Sequence, residues 1–321
     1  MSIRAGIAAA LAFCATACLA APYPEKPIRL VVPWPPGGSS DATARILATK
    51  LTESMGQTVI VDNKPGVSGV LGTDIVARSP KDGYTLLWAI SNHVTNPMLR
   101  KHVPYDPMKD FSPIALIGYT PFMLVVNPNL PVKTPRELAD YAKARPGAVP
   151  YASAGHGTSH HLGMQLLSNM AGIEMLHVPY KGGAPAINDL LGGQVSVYME
   201  VLSTVEPLVR SGKLRALGVT TLQRVPLVPD IPTISESGYP GFEIVGYWGL
   251  LSPAGTPEDV VAKLNLETNK ALARADTQES LRSLAMVYEP AGSTPDKFRA
   301  FMQAQIPKYA KLIRDAGVQA E

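Results

Sequence analysis

The chain has 321 residues and a formal net charge of +3, from 29 lysines and arginines against 26 aspartates and glutamates. The charges are scattered, and no basic run has the pattern that follows a phosphate backbone, so nucleic acid is not expected as a partner. This length predicts two domains rather than one. The 30 prolines and 27 glycines separate periodic segments and form no low-complexity tract.

The first 20 residues have the pattern of a secretory signal peptide, which predicts export to the periplasm. Arg4 precedes an apolar run over residues 5–17, and Cys18 and Ala20 stand at the −3 and −1 positions of a cleavage site. The run is shorter than the roughly 20 residues of a membrane-spanning helix. Cys14 and Cys18 both lie here, so a chain cut after Ala20 has no cysteine for catalysis or zinc binding. The alternative is a lipid anchor at Cys18, because the small residues before it loosely resemble a lipobox.

Beyond this segment, short β-rich runs alternate with helical patterns. Strands are expected at 28–32, 58–61, 84–90, 114–117 and 122–126, with helices at 41–55 and 70–77. Thr134, Pro135 and Glu137 form a helix start with Thr as the N-cap. In the second half, strands are expected at 151–153, 177–180, 194–200, 214–219 and 247–251, and helices at 160–170, 183–191 and 256–272. The alternation predicts an α/β fold with mostly parallel sheets flanked by helices.

Three glycine loops each follow an expected strand and open an expected helix. They contain Pro36, Gly37, Gly38, Ser39 and Asp41 in the first loop, Ser153, Ala154, Gly155, His156, Gly157 and Thr158 in the second, and Gly182, Gly183 and Ala184 in the third. Ligands of α/β sheets bind beyond the carboxyl ends of strands, where free N–H groups of a helix N-terminus attract anions. One such loop alone is more simply a tight turn with a cap, but three at equivalent places predict a ligand site.

Known catalytic patterns are missing from these loops. None contains the Gly-Lys-Ser/Thr sequence of a phosphate-hydrolysing P-loop, and the chain has no Gly-x-Ser-x-Gly elbow of an exported esterase. His156 and His160 are four residues apart and could share a metal on one helix. Gly157 lies between them at the expected helix entrance, however, so no metal or other cofactor is expected. One imidazole is expected to donate to the ligand or to the helix cap, and another to pack.

Glu200 ends a β-rich run where a strand meets the expected cleft. It either accepts hydrogen bonds from a ligand amine or hydroxyl or pairs with a lysine at the surface, and the sequence does not separate the two. Trp34 and Tyr198 stand near strand ends and could flank a ligand, although aromatic residues in such places more often belong to the core.

The motifs in these loops, taken in order along the chain, resemble the extracytoplasmic receptors of the tripartite tricarboxylate transporter family, often called Bug receptors. The matching segments include 23–29, 33–38 with Asp41, 62–66, 153–155 with 160–162, 178–185, 212–217 and 229–233. The resemblance implies a two-lobed periplasmic-binding-protein fold of type II. Its lobes are expected at 21–123 with 248–321 and at 124–247, joined by crossover strands near 122–126 and 247–251.

By the same resemblance, the first two glycine loops hold a ligand carboxylate from opposite lobes, and a membrane permease receives the ligand. His160, Gly182, Gly183, Ala184 and Glu200 then complete the ligand site. The chain departs from the family where Glu200-Val201-Leu202 replaces an Asp-Asn-Leu type of sequence, and His156 stands where relatives often have an apolar residue. The expected protein is a monomeric receptor without catalytic residues. The alternatives are a sensor subunit of a signalling system and an exported hydrolase using His160 or Glu200.

Overall fold

A computed structural model gives the structure of the protein and describes residues 23–284, 286 and 292–320. The expected signal peptide, with Cys14 and Cys18, lies outside the described residues. The strands are β1 (Ile28–Val32), β2 (Val59–Asn63), β3 (Thr85–Ile90), β4 (Phe111–Val126), β5 (Pro150–Ser153), β6 (Leu176–Pro179), β7 (Val197–Val201), β8 (Arg215–Val219) and β9 (Val245–Pro253). The helices are α1 (Ser39–Met55), α2 (Val70–Ala77), α3 (Asn92–Leu99), α4 (Pro135–Lys143), α5 (Ser159–Ala171), α6 (Gly183–Leu191), α7 (Leu202–Arg210), α8 (Glu258–Ala273), α9 (Ala275–Ser283) and α10 (Pro295–Asp315). Within the described part of the chain, no helix is long and apolar enough to cross a membrane.

Two mixed sheets, each mostly parallel, form the framework. The first has the order β2-β1-β3-β9-β4, in which β1 pairs in parallel with β2 and β3, and β9 runs antiparallel to its neighbours. The second has β5 between β6 and β7 in parallel, while β4 runs antiparallel to β7 on one side and to β8 on the other. The expected α/β class with mostly parallel sheets is confirmed.

Strand β4 belongs to both sheets. The expected strands at 114–117 and 122–126 merge into this one element, because Gly118 and Pro121, which are usual turn residues, remain paired with β9. Pro121 is opposite Val245 in the first sheet, whereas the next residue, Phe122, is opposite Val201 in the second. The chain therefore passes between the sheets at 121–122.

The return crossing falls at 244–245. The N–H of Ile244 donates to the Thr220 carbonyl beside the second sheet, and Val245 already pairs with Pro121 in the first. Residues 247–251, where this crossing was expected, pair wholly with β3 and β4 of the first sheet. The crossing lies a few residues earlier because β9 extends towards its N-terminus beyond the apolar run that marks it in the sequence.

Local sequence signals account for most element boundaries. Helix α1 buries the expected apolar face of Ala44, Leu47, Ala48 and Leu51 against the first sheet. The Thr134 hydroxyl accepts from the N–H of Glu137 at 3.1 Å, which confirms the predicted helix start. Helices α3, α7, α9 and α10 were not predicted from the sequence. Three of them, α3, α7 and α10, contain a proline, which favours a break when the sequence alone is considered.

Candidate functional site

A cavity of about 330 Å³ lies between the two sheets, at the carboxyl ends of their strands. Five helices begin at its wall: α1, α3, α5, α6 and α7. The first turn of each presents backbone N–H groups without helical partners, together with the positive end of the helix dipole. Among the described residues that line it, no lysine or arginine is present, so these helix ends provide its positive potential.

The first glycine loop reaches the cavity through Pro36, Gly37, Gly38 and Ser39. Gly37 has φ +85°, a conformation that favours glycine, whereas Gly38 has an extended backbone that any residue adopts. The helical hydrogen-bond series begins with the N–H of Ala42, which donates to the Gly38 carbonyl. The N–H groups of the first turn before Ala42 therefore have no helical acceptor.

Asp41 lies behind this loop and does not line the cavity, in contrast to its expected role in ligand binding. Its carboxylate accepts from the Gly37 N–H, the Arg45 Nε and the Asn63 Nδ2, each at 3.0 Å. Burial alone would raise the pKa of the Asp41 carboxyl, but the hydrogen bonds and the charge of Arg45 lower it below its usual value. Asp41 is therefore an ionised residue that holds the first glycine loop in place through these hydrogen bonds, on the side of the loop away from the cavity.

The second glycine loop uses most of its polar groups internally. The Ser153 hydroxyl accepts from the Gly155 N–H at 3.1 Å, and the Thr158 hydroxyl donates to the Gly155 carbonyl at 2.7 Å. Ser153, Gly155, His156, Gly157 and Thr158 do not line the cavity, while Ala154, Ser159 and His160 do. The sequence predicted the whole loop as ligand-binding, because the residues that form the turn and those that face the cavity are of the same types.

Of the four histidines near the second glycine loop, three pack against one another and one lines the cavity. His161 stacks on His177 with ring centroids 4.0 Å apart, and its Nδ1 accepts from the Gly157 N–H. Burial lowers the pKa of His161 to about 3 and that of His177 to about 4, so both are neutral at pH 7. The ring of His156 lies 4.8 Å from that of His161 in a tilted arrangement, and of the described histidines only His160 faces the cavity. Among the described residues, no three His, Cys, Asp or Glu side chains are grouped to hold a metal.

Close approach explains the two glycines of the third loop. Gly182 has φ +120°, and a Cβ there would lie 3.1 Å from Pro35 of the first loop. A Cβ on Gly183 would lie 2.6 Å from the Glu200 Oε2 atom. Both glycines and Ala184 line the cavity, as expected.

Glu200 is buried at the cavity wall and is 2% exposed. Its Oε1 lies 3.3 Å from the His160 Nε2 and accepts from the Val201 N–H at 2.7 Å. Burial would raise the pKa of the carboxyl, but His160, the Tyr198 hydroxyl and the Val201 N–H lower it below its ordinary value. Pairing with a surface lysine, one of the two sequence interpretations, is wrong because the side chain is inside the protein.

Several lining residues were not identified from the sequence. They include Ser91 and Asn92 at the start of α3, Thr204 on α7, and Thr120, Tyr247 and Trp248 on the crossing strands. Ser91 and Asn92 follow a strand as the glycine loops do, and Ser and Asn are common at helix starts, but no glycine marks the place. Trp34 lines the cavity, whereas Tyr198 is fully buried in the core.

Contacts join Ser68 and helix α3 to the second glycine loop. The Ser68 hydroxyl donates to the His156 carbonyl at 3.0 Å. Ser68 has a left-handed backbone with φ +52°, and its carbonyl accepts from the Asn96 Nδ2 at 3.1 Å. A Cβ on Gly157 would lie 2.5 Å from the Leu99 Cδ1, so glycine is needed for this approach. These contacts therefore link helix α3, which follows β3 of the first sheet, and Ser68 to a loop that follows β5 of the second sheet.

The protein has two sheets flanked by helices, joined by two crossing segments, with a cavity between them at which several helices begin. This is the architecture of a two-lobed periplasmic binding protein of type II. The chain belongs to the tripartite tricarboxylate transporter family receptors, whose model matches residues 43–318. It is 38% identical to the protein BugT of Bordetella pertussis over 314 residues, 96% of each chain. These matches confirm the family inferred from the loop motifs.

Solved structures agree with this assignment. The periplasmic binding protein BugD superposes with a TM-score of 0.89 at 38% identity, over 93% of this chain and 100% of BugD. Rpa4515 of R. palustris, solved with adipate, superposes with a TM-score of 0.89 at 34% identity, over 93% of this chain and 100% of its own.

Proposed function

We propose that the protein is a periplasmic receptor that captures a small carboxylate between its lobes and delivers it to the membrane permease of a tripartite tricarboxylate-type transporter. The observation that carries the proposal is the convergence of five helix N-termini on one cavity that no lysine or arginine of the described chain lines. The adipate bound by the relative Rpa4515 supports a carboxylate as the ligand.

Helix ends suit a carboxylate that must be released again. Backbone N–H groups make charge-assisted hydrogen bonds to carboxylate oxygens, and a water-excluded cavity strengthens them. The N-termini of α1 and α5 approach from opposite sheets, so closure of the lobes brings both to the same ligand. We propose that the lobes divide at 121–122 and 244–245, where the strand pairing changes, and that the receptor acts as a monomer after removal of its signal peptide.

The proposal includes no chemical step. Ser153 and His177 form a hydroxyl–imidazole pair at 2.7 Å, which is the arrangement that a hydrolase requires. However, Ser153 is fully buried, and its hydroxyl also contacts the Gly155 carbonyl. A substrate carbonyl cannot reach this oxygen. His160 and Glu200 face the cavity, but among the described residues no serine or threonine hydroxyl is hydrogen-bonded to either side chain.

Gly38 provides the test of the proposed grip. It lines the cavity, its backbone suits any residue, and a Cβ there would meet no atom within 4 Å. Because glycine is a better N-cap than Ala, Val or Leu, we expect Gly38→Ala, Gly38→Val and Gly38→Leu to lower the free energy of unfolding by no more than about 1 kcal/mol. Carboxylate affinity should fall with side-chain size, by at least about tenfold for leucine, or about 1.4 kcal/mol. Calorimetric titration measures the affinity. Equal affinity across the series would contradict a grip by the α1 N-terminus.

A further inference from the structure

Glu200 differs from every other side chain at the cavity wall. Among the described lining residues it is the only Asp, Glu, Lys or Arg, and the remainder are apolar, aromatic, hydroxyl or amide groups apart from His160. A cavity built to attract anions thus contains one acidic group.

The contacts of Glu200 keep it ionised and leave part of its hydrogen-bonding capacity unused. The Val201 N–H and the His160 ring engage Oε1, whereas Oε2 has no hydrogen-bond partner of good geometry among the described residues. The Tyr198 hydroxyl lies beside the carboxylate, yet it too makes no well-aligned hydrogen bond. The His160 Nδ1 is likewise unpartnered. A buried polar atom without a partner is costly, so a ligand donor that approaches this cluster is favoured.

The same burial penalises a second negative charge. Two like charges in a water-excluded cavity repel each other much more strongly than in bulk water. The neighbouring wall consists of apolar side chains, among them Phe122, Ile187 and Leu208. Apart from the His160 imidazole, no described lining side chain can carry a positive charge to offset the repulsion. A ligand that fills this cavity therefore has two different ends: a carboxylate at the helix N-termini and an uncharged or cationic donor at Glu200.

We infer that Glu200 determines specificity, and that the ligand is a monocarboxylate with an apolar body and a hydroxyl or ammonium donor facing Glu200. The inference rests on the proposed carboxylate-receptor function and sharpens it. A dicarboxylate, such as the adipate bound by Rpa4515, is selected against in this chain.

Two matched ligand series test the inference on the wild-type protein. The six-carbon series is adipate, hexanoate, 6-hydroxyhexanoate and 6-aminohexanoate, and the four-carbon series is succinate, butanoate, 4-hydroxybutanoate and 4-aminobutanoate. Calorimetric titration at pH 8 keeps the dicarboxylates fully ionised. In the series whose length fits, we expect the hydroxy or amino acid to bind at least about tenfold more tightly than the dicarboxylate. The two donor-bearing acids also distinguish a hydroxyl from an ammonium ligand.

Glu200→Gln keeps the shape and removes the charge. We expect it to weaken the donor-bearing acid and strengthen the dicarboxylate, so that the preference between them falls at least about tenfold. The control is Glu206→Gln on α7, whose carboxylate accepts from Arg210 and does not line the cavity. The Glu206→Gln variant should bind the ligands in the same order of affinity as the wild type.

The outcomes separate the inference from the function on which it depends. If the wild type binds dicarboxylates as tightly as donor-bearing acids and Glu200→Gln leaves the ranking unchanged, the role of Glu200 is refuted while the receptor function stands. This is the result expected if a protonated His160 neutralises the carboxylate. If neither protein binds any member of either series, both the inference and the carboxylate function fail. Should Glu200→Gln not fold, the wild-type ranking alone decides.

Discussion

Replacing Asp41 by asparagine should destabilise the protein, because both carboxylate oxygens accept from donors. Oδ2 accepts from the Gly37 N–H and the Arg45 Nε, and Oδ1 from the Asn63 amide. An amide must turn its NH₂ group towards one of these donors. The buried charge-assisted bond to Gly37 contributes roughly 1.5–3 kcal/mol, and the bond to the half-exposed Arg45 at most about 1 kcal/mol. We expect the free energy of unfolding to fall by about 3 kcal/mol.

The variant should also bind its carboxylate roughly tenfold more weakly, or about 1.4 kcal/mol, because the Gly37 turn loses its anchor. Urea denaturation at pH 7 measures the first effect and calorimetric titration the second. Asp74→Asn on α2 is the matched control, because the Asp74 carboxylate pairs with the exposed Arg78. The free energy of unfolding should change by less than about 0.5 kcal/mol.

The pH dependence gives a second measure of Asp41. Its folded pKa is lowered, so its contribution to stability is present above the unfolded pKa of about 4 and is lost as the pH falls through the folded pKa. The difference between wild type and Asp41→Asn should therefore shrink below about pH 4. Unchanged stability of the variant at pH 7 would refute this structural role of Asp41. Tighter carboxylate binding by the variant would also refute it, since removing an acid that faces the ligand would strengthen binding.

Three further changes test other parts of the structure. Ser68→Ala removes the bond to the His156 carbonyl, which joins the two halves of the molecule, and should speed ligand release in stopped-flow measurements about fivefold, equivalent to about 1 kcal/mol; an unchanged rate would exclude this contact from the ligand-bound state. Gly163→Ala places a Cβ 2.3 Å from the Met199 sulfur, and should lower stability in urea by about 1–3 kcal/mol. The pKa of His161 is about 3 in the folded protein and about 6.5 in the unfolded chain, so the unfolded state takes up the proton first. The free energy of unfolding of the protein should therefore fall as the pH falls below about 6.5. The slope of unfolding free energy between pH 6.5 and 4 should be smaller in His161→Gln.

Local signals predicted those parts of the fold that depend on neighbouring residues. Strand β1, helix α2 and the Thr134 cap follow from periodicity and capping chemistry within a few positions. The continuity of β4 through Gly118 and Pro121 could not be predicted in this way. It depends on pairing with β9, more than a hundred residues later in the chain.

The candidate site shows the same division between local and long-range information. Glycine loops locate helix starts, so Gly37, Gly38 and Gly183 were found at the cavity wall. The sequence did not separate residues that build a loop, such as Asp41, from those that face the cavity, because both roles use short polar side chains. The environment of Glu200 depends on His160 from another helix, and no spacing in the sequence encodes that contact.

The sharing of β4 between the sheets sets the order in which they can assemble during synthesis. All strands of the second sheet, from the end of β4 to β8, lie within residues 122–219. The first sheet needs β9, which inserts between β3 and β4 and ends at Pro253. A growing chain therefore contains the complete second sheet while β3 and β4 still lack the strand between them. Contacts between distant segments form slowly, so closure of the first sheet is expected to be the last major step in folding.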